Sequence, residues 1–106
     1  MKIDGFDWDA GNRSKCQKHG VSIGEIEALL HSSPRFAPDV RHSMGEDRLV
    51  AVGRNRSGRA LFVGFTVRFK GGLFLLRPVT ARFMHAKEAR RYEDQDPEQS
   101  AGDEER

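Results

Sequence analysis

The sequence predicts a small α+β domain built on an antiparallel sheet, in the order β-α-α-β-β-β-α, with the helices on one face. Three observations predict it. The first third carries helix punctuation, residues 47–82 switch to a period of two broken by glycine turns, and a charged segment with helical spacing follows. At 106 residues the chain has room for a single modest core.

Ile3, Phe6 and Trp8 mark a short extended entry. Asp9 is placed to cap a helix through residues 10–19, ended by Gly20. That helix is polar and basic, so its packing should be shallow. Ser22 and Glu25 have the spacing of a capping box for a second helix, with Val21 positioned to staple onto Ile26. Ile23, Ile26 and Leu30 then share a face, and Pro34 and Pro38 end the helix.

Residues 47–55, 59–69 and 73–82 read as three strands joined by an Arg-Ser-Gly turn and a Lys-Gly-Gly hairpin. On the middle strand Leu61, Val63, Phe65, Val67 and Phe69 share the face expected to form the core. Pro78 argues that the third strand is an edge or is bulged there. Residues 85–94 read as a terminal helix whose apolar residues are two alanines, which suits a helix kept for its polar face. The domain is expected to span residues 1–92, with 93–106 a solvated, disordered tail.

Charge divides at the same point. Residues 1–92 hold 17 Lys and Arg against nine Asp and Glu, a net +8, whereas residues 93–106 hold seven acids and one arginine, a net −6. A basic body points to a polyanionic partner, above all nucleic acid. No apolar run is long enough to span a bilayer, no signal pattern opens the chain, and Cys16 is the only cysteine, so a reducing, cytoplasmic setting without membrane contact is expected. There is no Cys-x-x-Cys, and His31, His42 and His85 lack metal-ligand spacing, so no metal or other cofactor is expected.

Arginines gather at strand ends and on the last helix, where guanidinium forks suit phosphate oxygens. Glu88 and Tyr92 are four residues apart and share a helix face, and Lys87 and Arg91 share the next. Each has an ordinary structural use as well. His42 can cap a turn, Glu46 and Arg48 can form a surface ion pair, and Tyr92 can anchor its helix. Composition and spacing reach a small basic α+β domain suited to binding RNA.

Three stretches carry more. Phe6–Ser22 (FDWDAGNRSKCQKHGVS), Arg41–Arg54 (RHSMGEDRLVAVGR) and Thr80–Tyr92 (TARFMHAKEARRY) resemble the BrnT family of toxins in content, order and spacing. The resemblance implies a RelE-like ribonuclease fold, toxicity through RNA cleavage and neutralisation by a BrnA-like antitoxin with a ribbon-helix-helix domain. The neutralised complex would bind its own promoter DNA. For metal-free cleavage, the expected charge stabilisers are Arg48 and Arg82, the proton carriers His42 and Glu88, and Tyr92 a donor or stacking platform. Glu46 would orient Arg48, and Lys18, Arg54, Lys87, Arg90 and Arg91 would hold the RNA backbone. The alternatives on the sequence are an RNA-binding module without catalysis and a module that docks an acidic partner.

Overall fold

Among the residues described by the computed structural model, 2–32, 35–38 and 48–94, five strands and three helices follow one another. They are β1 (Gly5–Phe6), α1 (Ala10–Gln17), α2 (Ile23–His31), β2 (Arg35–Pro38), β3 (Arg48–Arg54), β4 (Ala60–Lys70), β5 (Leu73–Phe83) and α3 (Ala86–Asp94). They form the expected α+β class around the expected β3-β4-β5 meander, set in a sheet of order β1-β5-β4-β3-β2.

Two strands extend that meander. β1 adds beside β5 in parallel, with Gly5 opposite Leu75, which makes the sheet mixed. β2 pairs antiparallel with β3. Of the two prolines that mark a helix-ending linker, Pro34 lies outside the described residues, and Pro38 is tolerated in an edge strand, where one side of the backbone needs no ladder partner. β5 is not an edge. Pro78 is accommodated by a bulge instead, because the register with β4 shifts between Gly64, opposite Thr80, and Phe65, opposite Pro78.

The helix punctuation acts as the sequence suggests. The Asp9 side chain accepts the Asn12 N–H at 3.0 Å, and the Ser22–Glu25 box closes in both directions at 2.9 and 3.0 Å. Val21 and Ile26 are both buried in the core. α1 ends at Gln17, two residues earlier than expected, and Gly20 follows in a left-handed conformation at φ 91°. At the β4–β5 hairpin Gly71 and Gly72 both take positive φ, as a tight two-residue turn requires.

α1 and α2 cover one face of the sheet. Their Cys16, Ile26, Leu29 and Leu30 join Ala51, Leu61, Val63, Phe65 and Ala81 in the core. α3 lies against the opposite face, through residues of β4 and β5 that alternate with the core set. The expectation of helices on one face therefore holds for α1 and α2 only. With Ala89 its buried residue, α3 has no apolar stripe to drive it into that core. It also runs past the expected domain boundary at residue 92, while residues 95–106 lie outside the described residues.

Asn12 ties the α1 layer to the sheet. Buried, it donates from Nδ2 to the carbonyls of Asp7 (3.0 Å) and Pro78 (2.8 Å) and accepts the Asp9 N–H at Oδ1 (2.7 Å). Asn12→Ala strands the buried Pro78 carbonyl at the bulge and should cost about 2–3 kcal/mol in urea denaturation, with the slope of the transition unchanged.

Candidate active site

The face opposite the core is set by strand alternation. Antiparallel partners share a face, so Phe62 and Gly64 of β4 lie with Arg82 and Thr80 of β5 and with Val52 and Val50 of β3. Arg82 is the cation at the centre of this surface. Its guanidinium carbon stands 4.3 Å from the centroid of the Phe62 ring, within cation–π range.

α3 closes over the same place. Nη1 and Nη2 of Arg82 donate to Oε1 and Oε2 of Glu88, both at 2.8 Å, a two-pronged pair. One helical turn on, the Tyr92 ring meets Phe62 edge-on at 6.2 Å. Arg82 is thus held between an aromatic face and a carboxylate fork. The fork uses two of the five guanidinium N–H donors, and 39% of the side chain remains exposed. The same two hydrogen bonds hold the Glu88 carboxyl below the usual carboxylate range, and raise the Arg82 value.

Arg48 reaches this surface from the neighbouring strand. The position that a Cβ on Gly64 would take lies 3.1 Å from Arg48 Nη2, 3.2 Å from its Nε and 3.0 Å from Thr80 Cγ2. The missing side chain is the space in which the Arg48 guanidinium lies. Phe62 and Gly64 are two residues apart, roughly 7 Å along the strand, so Arg48 and Arg82 occupy adjoining places on one surface. Sequence reasoning overlooked both Gly64 and Phe62. The available signal was a glycine inside an alternating strand, which marks close approach of another group.

Other expected site residues fall elsewhere. Arg54 donates to both carboxylate oxygens of Glu93, at 3.2 and 3.3 Å, and to the Gly58 carbonyl, so it ties the end of β3 to α3. Lys87, Arg90 and Arg91 are exposed on α3. Lys18 caps the C-terminus of α1, in the layer on the other side of the sheet. His42 and Glu46 lie outside the described residues. Cys16 is no nucleophile candidate, since burial pushes its thiol up to about 11.

A family model described as "Ribonuclease toxin, BrnT, of type II toxin-antitoxin system" matches residues 8–88. The chain belongs to the BrnT family. It is a ribonuclease toxin, with RNA as substrate and an antitoxin as partner. A search of curated protein sequences returned no match. The matched span includes Arg48, Gly64, Arg82 and Glu88, while Tyr92 lies four residues beyond it. No described helix is long and apolar enough to cross a membrane.

The Gly64 geometry makes a prediction for this BrnT toxin. Gly64→Ala should lower RNA cleavage about tenfold or more by displacing the Arg48 guanidinium, and the same change in an Arg48→Ala background should lower it no further, as a double-mutant cycle would read.

Proposed function

We propose that this BrnT toxin is a metal-independent endoribonuclease whose Arg48 and Arg82 bind one phosphodiester of RNA and stabilise its transition state. The 2′-hydroxyl attacks the adjacent phosphorus, the bond to the 5′-oxygen breaks, and the products are a 2′,3′-cyclic phosphate and a 5′-hydroxyl. The observation that carries this reading is Arg82, fixed by Phe62 and by the Glu88 fork with three N–H donors left over. Donors held in place before the reaction are usually the largest contribution where charge develops on phosphate oxygens.

The assignment of Glu88 follows from its partner. A carboxylate that takes both prongs of a guanidinium, and is held ionised by it, is a poor proton carrier near neutral pH. Glu88 is a positioning residue for Arg82. Proton transfer then falls to His42, whose residue type titrates in the physiological range, with Glu46 orienting Arg48. Tyr92, standing on Phe62, presents a ring on which a base can stack. The exposed Lys87, Arg90 and Arg91 draw in the flanking backbone, as does Arg54 when it releases Glu93. Lys18, on the far layer, can serve only RNA that wraps around the sheet. The antitoxin is proposed to be BrnA-like, with a ribbon-helix-helix domain through which the neutralised complex binds promoter DNA.

Arg82→Ala should reduce cleavage about 10²–10³-fold and abolish growth arrest on induction, with cooperative unfolding of the α1–α2 core retained although α3 loses its fork. Full toxicity of that variant removes Arg82 from the reaction. Cleavage should persist in excess EDTA, and its complete loss there would assign the chemistry to a metal.

The lowered carboxyl of Glu88 fixes a sign. Its pairing with Arg82 is intact above the ordinary carboxylate range and is lost only as pH falls through the lowered folded value. Glu88→Gln should therefore be slower than the parent but keep the shape of its pH–rate profile from about pH 5 to 9. Loss of one limb of that profile would make Glu88 a proton carrier.

A further inference from the structure

The core face of the sheet is longer than the helices that cover it. β4 and β5 have 11 residues each, about 37 Å of strand. α1 and α2 have eight and nine, about 12 and 14 Å of helix. Under the helices, Leu61, Val63 and Ala81 are sealed. Beyond them Leu49, Val67 and Phe74 are only partly covered. The result is a groove of about 650 Å³, walled by Leu30, Phe36, Leu49, Phe65, Val67 and Phe74. Phe36 leans on Phe65 with ring centroids 5.4 Å apart and is 53% exposed. The apolar surface continues to the hairpin tip, where Phe69, 76% exposed, stacks on Phe74. Core-face alternation extends along β4 to Phe69, but the burial expected there stops short because no described helix reaches it.

A contiguous apolar surface of this kind marks a contact with another molecule. RNA does not suit it, since among the described residues the polar side chains lining the groove are Lys2 and His31, and the guanidinium surface is on the opposite face. The chain's own C-terminal segment does not suit it either. Residues 93–106 are net −6 and hold one alanine and one proline as their apolar residues. A second copy fits poorly on two grounds. A concave surface placed against itself encloses a void, and among the described lining residues a second copy offers no acidic side chain to meet Lys2.

The family supplies the remaining candidate, the antitoxin that defines a type II system. We infer that this groove is the antitoxin's docking site and receives the apolar face of an amphipathic antitoxin helix, with acidic residues flanking it toward Lys2 and His31. The helix completes the layer that α1 and α2 leave short, the groove mode of helix recognition. The inference rests on family membership and is independent of the roles given to Arg48 and Arg82. It separates neutralisation from catalysis, which lie on opposite faces of one sheet.

The test is calorimetric titration of the cognate antitoxin into purified toxin carrying Phe36→Glu. Affinity should fall about 30-fold or more. RNA cleavage by the toxin alone should be retained, and in cells the variant should stay toxic when the antitoxin is co-expressed. Benzoylphenylalanine in place of Phe36, which adds no charge, should photo-cross-link to the antitoxin. Unchanged affinity, absence of that adduct, or an adduct between two toxin copies overturns the inference. Binding is read without turnover, so a failure of the nuclease mechanism leaves this result interpretable, and the reverse also holds.

Discussion

Arg82 is a cation on a sheet face that an ordinary core would have filled with apolar side chains. The face around it was prepared for a charge: Phe62 lies beneath the guanidinium, Glu88 grips its far edge, and α3 is brought over the sheet by that grip. Without the pair, the contacts left to α3 among the described residues are Ala89, the Tyr92–Phe62 contact and the exposed Arg54–Glu93 ion pair. Exposed ion pairs contribute roughly 0–1 kcal/mol, so the helix depends on the better-shielded fork. One interaction thus sets the orientation of the guanidinium we assign to the phosphodiester and the position of the helix that carries Tyr92.

The two faces of the sheet divide the work by residue parity. Odd-numbered residues of β4 build the core with α1 and α2, and even-numbered ones face α3 on the surface we assign to RNA. The bulge at Pro78 lies where the two demands meet. Asn12, from the helical layer, holds the Pro78 carbonyl, while two residues later Thr80 stands beside the Arg48 guanidinium. A change in the register of β5 would move Arg82 to the core face, so the packing of the core also enforces the geometry of the site. Where the helices end, the apolar face is left open, and we assign that gap to the antitoxin.

Local chemistry was readable from the sequence because its signals are short-range. The Asp9 cap, the Ser22–Glu25 capping box, the glycine hairpin, the core parity of Leu61, Val63 and Phe65, and the shared face of Glu88 and Tyr92 need only neighbouring residues to specify them. What escaped depends on partners distant in sequence. Pro34 and Pro38 say where a helix stops, but not that Arg35–Pro38 pairs with β3, and Gly5–Phe6 gives no sign of its parallel partner. Gly64 looks like a weak point in a strand until Arg48 is placed beside it. Among the candidate site residues, Arg48, Arg82, Glu88 and Tyr92 lie on one surface, whereas Lys18 is in the other layer and Arg54 is occupied by Glu93. Spacing along the chain could show which residues share a helix face. It could not show which arginines already have a carboxylate.

The most direct measurement is an NMR titration of the arginine Nε–Hε groups with a short RNA made uncleavable by a single 2′-deoxy substitution. If Arg48 and Arg82 clasp one phosphodiester, their signals shift together and saturate with a single dissociation constant, while those of Arg77, held by Asp9, and Arg59, stacked on Phe83, stay in place. RNA that binds with Arg82 unmoved, or that shifts the two arginines with separate affinities, contradicts the account.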